Sequence, residues 1–196
     1  MTMANPLVKK PGISVEIPGF ATLNIKALCT DYTGTLALEG SLIEGVKPRF
    51  RILAEMLDIF VVTSDTRGTA RIELSTVLPL RGLEDGARAT ETQEFVTIIK
   101  PKGSKAHDLQ KKLYLTEIIR QRQIALKNVV VLGNGRNDVK WLRKVHERGG
   151  LAIAVDVGEG CSVEAMNSAH IFISGICNAL DLLLDTDRLK GTLRTE

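Results

Sequence analysis

The chain has 196 residues, of which 44% are hydrophobic and 25% charged, and its formal net charge is +3. This length suffices for one soluble domain with its own core, which needs no disulfide or structural metal. Lysine and arginine are scattered rather than clustered, which argues against a nucleic-acid surface. The chain has no apolar run of membrane-spanning length. Its three cysteines cannot all pair and none lies in a CxxC spacing, so we expect a reducing, cytoplasmic setting.

We expect residues 1–12 to form a flexible tail and residues 13–196 a single domain. Residues 14–17 and 22–25 flank a Pro-Gly pair and predict a β-hairpin. Short apolar runs follow and predict strands that are buried on both faces. In chain order, these runs are residues 25–30, 57–62, 95–99, 129–132, 151–155 and 169–173.

Helical periodicity appears between these strands, in residues 48–56, 69–74, 104–122, 137–146, 162–168 and 178–184. The longest of these segments is predicted to have an apolar side formed by Leu109, Leu113, Leu115 and Ile118. Strands that alternate with helices predict an α/β fold, a three-layer Rossmann-like sandwich with a mainly parallel sheet. The turn-rich residues 78–93 have room for a small strand only. The sequence therefore predicts no substantial cap domain.

Polar side chains follow three of the predicted strands. Asp31 follows the first buried strand, Thr63 the second, and Asn134 and Asp138 the fourth. Ligands of open parallel sheets bind beyond the carboxyl ends of the strands, so these side chains are expected to converge. A carboxylate there can attack phosphorus, a hydroxyl can hold a phosphoryl oxygen, and a second carboxylate can ligate Mg²⁺. A lysine from the long helix would neutralise the charge.

Three motifs in this order make the chain similar to a known family. Asp31-Tyr32-Thr33-Gly34-Thr35-Leu36 resembles the phosphorylation sequence of P-type ATPases. Residues 62–66 resemble their second motif, and residues 133–138 resemble their metal-binding hinge. The chain therefore resembles the haloacid dehalogenase superfamily, and within it the small soluble P-type ATPase-like hydrolases. The resemblance implies Mg²⁺-dependent phosphohydrolase activity through an aspartyl phosphate.

The same resemblance assigns roles to single residues. Asp31 would be the nucleophile and a metal ligand, and Thr63 would hold the phosphoryl group. Thr33, through its backbone carbonyl, and the side chains of Asn134 and Asp138 would complete the metal site. Lys111 best fits the catalytic lysine of the family, with Lys105 and Lys112 as alternatives. Arg67 and Arg136 lie near the predicted mouth and could hold a substrate anion.

Two positions depart from the pattern of the superfamily. Most phosphatases of this kind carry a second aspartate, the general acid and base, where this chain has Thr33. Loss of such a group typically slows a reaction by about 10²–10⁴-fold. We therefore expect slow hydrolysis of alkyl phosphomonoesters, whose leaving groups need a proton. The second departure is Asn134, where most relatives have a metal-binding aspartate, so weaker metal binding is expected.

The leading hypothesis is a phosphohydrolase that acts on a phosphorylated small molecule or an acyl phosphate, without nucleic-acid or membrane partners. A capless site is open, which is compatible with a homo-oligomer in which a neighbouring subunit covers it. The alternative is a non-catalytic scaffold that binds a phosphorylated ligand or a partner, and a weaker alternative is a soluble ATPase. His107, His146 and His170 show no metal-binding spacing, so each is interpreted as a surface or core residue.

Overall fold

A computed structural model of the protein describes residues 10–63, 65, 68–78, 80–82, 96–99 and 107–195. Predictions for residues 1–9, Ser64, Arg67 and Lys105 lie outside these ranges, as do residues 104–106 of the predicted long helix. None of the described helices is long and apolar enough to cross a membrane.

The described strands and helices alternate over most of the chain. The strands are β1 (Ile13–Ile17), β2 (Ala21–Ile25), β3 (Ala27–Thr30), β4 (Ala37–Leu38), β5 (Ser41–Leu42), β6 (Asp58–Val62), β7 (Leu80–Gly82), β8 (Val96–Ile99), β9 (Val129–Gly133), β10 (Leu151–Asp156) and β11 (Ile171–Ser174). The helices are α1 (Val46–Met56), α2 (Ala70–Ser75), α3 (His107–Arg122), α4 (Val139–His146), α5 (Val163–Met166), α6 (Ile176–Leu184) and α7 (Thr186–Leu193).

Seven strands form one parallel sheet in the order β11-β10-β9-β3-β6-β8-β7. The central strand is β3, whose last residue Thr30 pairs with Val61 of β6 and with Leu132 of β9. Because the strands are parallel and in this register, residues 31, 63 and 134 leave the sheet at the same edge. The predicted α/β sandwich with a mainly parallel sheet is confirmed.

Apolar side chains cover both faces of the sheet. One face packs against α1, α6, α7 and the β1–β2 hairpin, with Phe50, Leu180 and Leu189 in that core. The other face packs against α3, α4 and α5, with Ile118 and Trp141 in its core. The sheet and the elements that cover its two faces form the three layers of the sandwich.

Three details of the sequence interpretation are corrected by the structure. Leu113 is 45% exposed, so it does not belong to the buried side of α3. The polar residues Gln110 and Lys111 are buried there instead, because they lie toward the site end of the helix.

The chain also continues into α7 beyond the predicted last helix. Asp185 starts α7, because its side chain accepts hydrogen bonds from the N–H groups of Asp187 and Arg188.

A short hairpin, β4–β5, was not predicted. It lies between the Asp31 turn and α1, and it is the only regular structure described in that part of the chain.

Candidate active site

The side chains of Asp31, Lys111 and Asp138 meet at the carboxyl edge of the sheet. Lys111 Nζ lies 2.8 Å from Asp31 Oδ2 and 2.7 Å from Asp138 Oδ1. All three residues are buried, with 4%, 2% and 0% of their surfaces exposed. A buried ammonium between two carboxylates is stable only when the charges are well paired, and here each partner is within hydrogen-bond distance.

The turn after β3 fixes the carboxylate of Asp31. The Asp31 N–H donates to Leu132 O of β9, and Asp31 Oδ1 accepts from the Tyr32 N–H at 2.7 Å. Gly34 has a φ of +72°, and a Cβ atom there would collide with the amide of Asn134. Glycine is therefore required at this position both for the left-handed backbone and for the close approach of the two motifs.

The contacts of Asp138 also engage both of its oxygens, as those of Asp31 do, but two backbone N–H groups rather than one hold the carboxylate. Oδ1 accepts from Lys111, while Oδ2 accepts from the backbone N–H groups of Asn134 at 3.1 Å and Gly135 at 3.0 Å. A short 3₁₀ turn, Arg136–Asp138, brings the side chain back over these donors. Asp138 therefore anchors Lys111 and is itself anchored by the backbone of residues 134 and 135.

Burial and charge act in opposite directions on this cluster. Burial raises the pKa of Asp31 to about 6, with Asp138 adding to the rise and Lys111 and the Tyr32 N–H opposing it. Burial alone would lower the pKa of Lys111, but the carboxylates of Asp138 and Asp31 outweigh it and the net pKa is raised. Lys111 therefore carries its charge at neutral pH.

Asn134 lies beside Asp31 and connects two loops. Its Nδ2 donates to Gly160 O at 3.3 Å, and its Oδ1 accepts a long hydrogen bond of 3.4 Å from Thr35 Oγ1. Ser162 N donates to the Asn134 carbonyl at 2.8 Å. The amide oxygen keeps a free lone pair, because a carbonyl oxygen has two and the Thr35 contact occupies one.

Thr63 follows β6 at the same edge and is 1% exposed. Its Oγ1 accepts from the Asp65 N–H at 3.0 Å, which leaves its own hydroxyl hydrogen available to a ligand. Asp65 has a φ of +48°, and its Oδ1 accepts from the N–H of Ala70, the first residue of α2. The sequence pattern did not single out Asp65, although an aspartate a few residues before a helix is a familiar capping signal.

Several other predicted site residues can now be placed. Lys112 is exposed and lies outside the buried cluster, in contrast to its neighbour Lys111. Arg136 is exposed and its Nε lies 3.3 Å from Glu164 Oε1. Trp141 was not among the predicted site residues, and its ring centroid lies 5.3 Å from Lys111 Nζ. No sequence signal links these two residues, because they contact each other only when α3 packs on α4.

The oxygen atoms near Asp31 suit a hard cation such as Mg²⁺. They are the Asp31 carboxylate, the Asn134 amide oxygen and the Thr33 carbonyl, which accepts no hydrogen bond from the described residues. In the described ranges, no three His, Cys, Asp or Glu side chains converge as a metal site. A metal beside Asp31 would therefore combine carboxylate oxygens with main-chain and amide oxygens.

Solved structures with the same fold are mainly phosphatases. The 3-deoxy-D-manno-octulosonate 8-phosphate phosphatase of Moraxella catarrhalis, in complex with magnesium and phosphate ions, has a TM-score of 0.57 at 14% identity, with 87% of this chain and 94% of that chain covered. The cobalt-bound enzyme of Haemophilus influenzae has a TM-score of 0.56 at 12% identity, over 85% and 90% of the chains. A phosphoserine phosphatase has a TM-score of 0.57 at 12% identity, over 82% and 98%. The chain has the haloacid dehalogenase-like fold.

A sequence relative gives the family. No protein-family model matches the chain. The uncharacterized protein MJ0073 of Methanocaldococcus jannaschii is 38% identical over 68 residues, which are 35% of this chain and 69% of that protein. The chain belongs to the same family as this protein.

Proposed function

We propose that the protein is a Mg²⁺-dependent phosphohydrolase of the haloacid dehalogenase superfamily that acts through an aspartyl phosphate on Asp31. The observation that carries the proposal is the buried Lys111 ammonium between Asp31 and Asp138 at the carboxyl edge of the sheet. The phosphatases that share the fold support the same reaction class. The motif at residues 31–36 supports placement in the soluble P-type ATPase-like subgroup.

In the proposed reaction, an oxygen of Asp31 attacks phosphorus in line with the leaving group. The new O–P bond forms as the bond to the leaving group breaks, and the leaving group departs with the electron pair. Water then attacks phosphorus, the P–O bond to Asp31 breaks, and the carboxylate is restored. Inorganic phosphate leaves with the oxygen of the water, and the protons of the water pass to this phosphate and to solvent. Lys111 stays protonated throughout and offsets the negative charge that gathers at the phosphoryl oxygens. Thr63 is placed to donate a hydrogen bond to one of these oxygens.

Mg²⁺ would be held by Asp31, the Thr33 carbonyl and the amide oxygen of Asn134. When bound, it would supply charge neutralisation to the phosphoryl group. Two neighbours of the same fold carry magnesium or cobalt, which supports a divalent metal at this position. Asp138 would hold Lys111 and the backbone of residues 134 and 135 in place, and it would reach the metal directly or through water.

Thr33 narrows the substrate class. A threonine hydroxyl is a poor general acid and base at neutral pH, so the leaving group has to depart without a proton. Acyl phosphates and phosphoanhydrides have leaving groups that are already stable as anions. We therefore propose an acyl phosphate or a related activated phosphate as the substrate, with alkyl phosphomonoesters turned over slowly.

Turnover of acetyl phosphate with Mg²⁺ by wild type and by Asp31→Asn tests the nucleophile. The matched control is Asp58→Asn, because Asp58 begins β6 at the opposite edge of the sheet. We expect the Asp31 variant to lose activity by at least about 10³-fold, and the Asp58 variant to keep wild-type activity. Equal turnover by the Asp31 variant and wild type would refute the assignment. ATP as a further substrate tests the soluble ATPase alternative.

A non-catalytic scaffold is the second candidate function. Thr33 favours it, and so does the engagement of Asn134 with Thr35 and Gly160. Calorimetry with Mg²⁺ and beryllofluoride separates the two, because this anion mimics a phosphoryl group on aspartate. Metal-dependent binding without turnover of any phosphate ester or anhydride favours the scaffold, and binding with turnover favours the enzyme.

We also propose a reducing, cytoplasmic setting. The three cysteines Cys29, Cys161 and Cys177 are free. Burial raises the pKa of Cys29 far above its ordinary value, so this thiol is inert.

A further inference from the structure

Lys111 has a third neighbour besides its two carboxylates. Its Nζ lies 5.3 Å from the centroid of the Trp141 ring. An ammonium within about 6 Å of an indole face is attracted by the electron density of the ring, and more strongly when water is excluded. Trp141 is fully buried and Lys111 is 2% exposed, so solvent screens this contact very little. The ring therefore limits where the ammonium can lie.

The same helical turn positions both the Trp141 ring and the Asp138 carboxylate. Trp141 follows Asp138 by three residues, a spacing that puts both side chains on one side of the turn. On the partner helix, Leu115 and Ile118 follow Lys111 by four and seven residues and share a core with Trp141. Because α3 packs on α4, the Lys111 ammonium lies close to both the Asp138 carboxylate and the Trp141 ring, which belong to the same helical turn.

Core packing alone does not explain why this residue is tryptophan. A buried tryptophan usually donates its N–H to a partner. Nε1 of Trp141 is buried and has no hydrogen-bond partner among the described residues, which is unfavourable. Phenylalanine would fill much of the same space without an unpaired donor. What tryptophan offers beyond phenylalanine here is the stronger cation–π face under Lys111.

We propose that Trp141 is a positioning residue that holds the Lys111 ammonium between Asp31 and Asp138 during phosphoryl transfer. The proposal rests on the proposed function, because it concerns the same site. Trp141 touches neither substrate nor metal and acts only through Lys111. Its loss should lower kcat and leave KM almost unchanged, since the substrate contacts remain.

The first experiment detects the contact without any activity measurement. Trp141 is the one tryptophan of the chain, so its fluorescence reports on this site alone. Lys111→Met should shift the emission maximum, because the charge over the ring is removed. Lys112→Met is the matched control, since this neighbouring lysine is exposed, and it should leave the emission unchanged. Equal spectra for folded Lys111→Met and wild type would overturn the contact.

The second experiment separates positioning from stability. We expect kcat on acetyl phosphate to fall about threefold in Trp141→Phe and about tenfold in Trp141→Leu. Trp141→Phe should keep or raise the Tm, because it removes the unpaired N–H. Leu142→Ala is the control, because Leu142 is buried in the same core and offers Lys111 no charge and no aromatic ring. It should lower the Tm and leave kcat unchanged.

Each outcome of these two experiments supports or overturns either the contact or the positioning role of Trp141. Wild-type kcat in both Trp141 variants, or losses of kcat that follow the Tm across all three core variants, would overturn the positioning role. If Asp31→Asn is as active as wild type, the proposed function fails, while the fluorescence comparison still decides whether the contact exists. If Lys111→Met does not fold, the split between kcat and Tm in the Trp141 variants decides the question.

Discussion

The carboxyl edge of the sheet contains a buried polar cluster, whereas the amino edge contains a partly buried pair of histidines. The structure favours the charged form of Lys111 at the first edge and disfavours the charged form of His170 at the second. At the carboxyl edge, Lys111 keeps its charge between Asp31 and Asp138. At the amino edge, His146 and His170 stack with ring centroids 3.8 Å apart, and Phe20 packs edge-on against His170. Burial, and then the nearby His146, lower the pKa of His170 to about 4, so this ring is neutral at physiological pH.

Lys111 is the more deeply buried of the two groups and still keeps its charge, so the partners account for the difference. The ammonium of Lys111 has two carboxylates, and one of these is itself held by two backbone N–H groups. Among the described residues, the His170 ring has one hydrogen-bond partner, the Ala152 N–H, which donates to Nδ1 and therefore requires an unprotonated nitrogen. Burial disfavours charge at both edges, and only the carboxyl edge supplies the opposite charge that reverses the outcome. The buried charge thus lies at the edge where we propose phosphoryl transfer.

The largest expected effect comes from breaking the charged cluster at Asp138. Asp138→Asn leaves Lys111 with one carboxylate, and we expect the free energy of unfolding to fall by about 3–5 kcal/mol. Asp108→Asn is the control, because its ion pair with Lys140 is partly exposed, and it should cost less than about 1 kcal/mol. Urea denaturation measures both. Similar losses in the two variants would mean that the buried cluster adds little to stability.

The second prediction concerns Thr33, which stands where most phosphatases of the superfamily have the aspartate that acts as general acid and base. Thr33→Asp should raise the ratio of turnover on glycerol phosphate to turnover on acetyl phosphate by about 10²-fold, because only the alkyl ester needs a proton. Thr33→Asn has a similar size without proton chemistry and should leave the ratio unchanged. Steady-state kinetics with Mg²⁺ measure this ratio. An increase in both variants would show that shape, rather than proton transfer, limits the wild-type protein.

The third prediction concerns a substitution that adds a negative charge at Asn134, in the proposed metal site. Asn134→Asp should tighten Mg²⁺ binding by about tenfold or more, since carboxylate charge tunes the affinity of oxygen sites. The variant should also lose stability without metal, because a carboxylate cannot donate to Gly160 O as the amide does. Asn137→Asp adds the same charge in the same loop and should change the affinity much less. Equal affinity gains in the two variants, measured by calorimetry, would remove Asn134 from the metal site.

Much of this fold could be predicted from the sequence because its signals are local. Runs such as Val129–Gly133 are continuously apolar and end at polar residues, so both the strand and the position of its site residue follow from the chain itself. The order of Asp31, Thr63 and Asp138 along the chain likewise predicts one shared edge. The helix α7 was missed because Thr186–Leu193 is polar and contains a glycine, and it depends on the Asp185 cap and the burial of Leu189.

The finer parts of the candidate site depend on packing and could not be predicted in this way. Lys111 and Lys112 are neighbours on one helix, and only the docking of α3 on α4 decides which ammonium reaches Asp31. The contact of Trp141 with Lys111 and the stacking of His146 on His170 join residues that are about 24 or more positions apart in the sequence. No periodicity within a single element can report such contacts.

The smallest expected effect concerns His170 at the amino edge. The pKa of His170 in the folded protein is about 4, below the value of about 6.5 in an unfolded chain. The unfolded state therefore binds a proton that the native state does not, so His170 leaves stability intact above pH 6.5 and lowers it as the pH falls toward 4. Because the ring is only partly buried, we expect a loss of roughly 1–2 kcal/mol over this window.

Carboxylates elsewhere in the protein also lose favourable interactions in acid, so a matched variant has to isolate the contribution of His170. His170→Asn serves this purpose, because its amide oxygen can still accept from the Ala152 N–H and its side chain does not titrate. Denaturation of both proteins from pH 7 to pH 4 should show wild type losing stability relative to the variant. A difference that stays constant with pH would mean that His170 is protonated in the folded protein as readily as in the unfolded chain. In that case burial alone would not exclude charge at the amino edge, and the contrast between the two edges would require another cause.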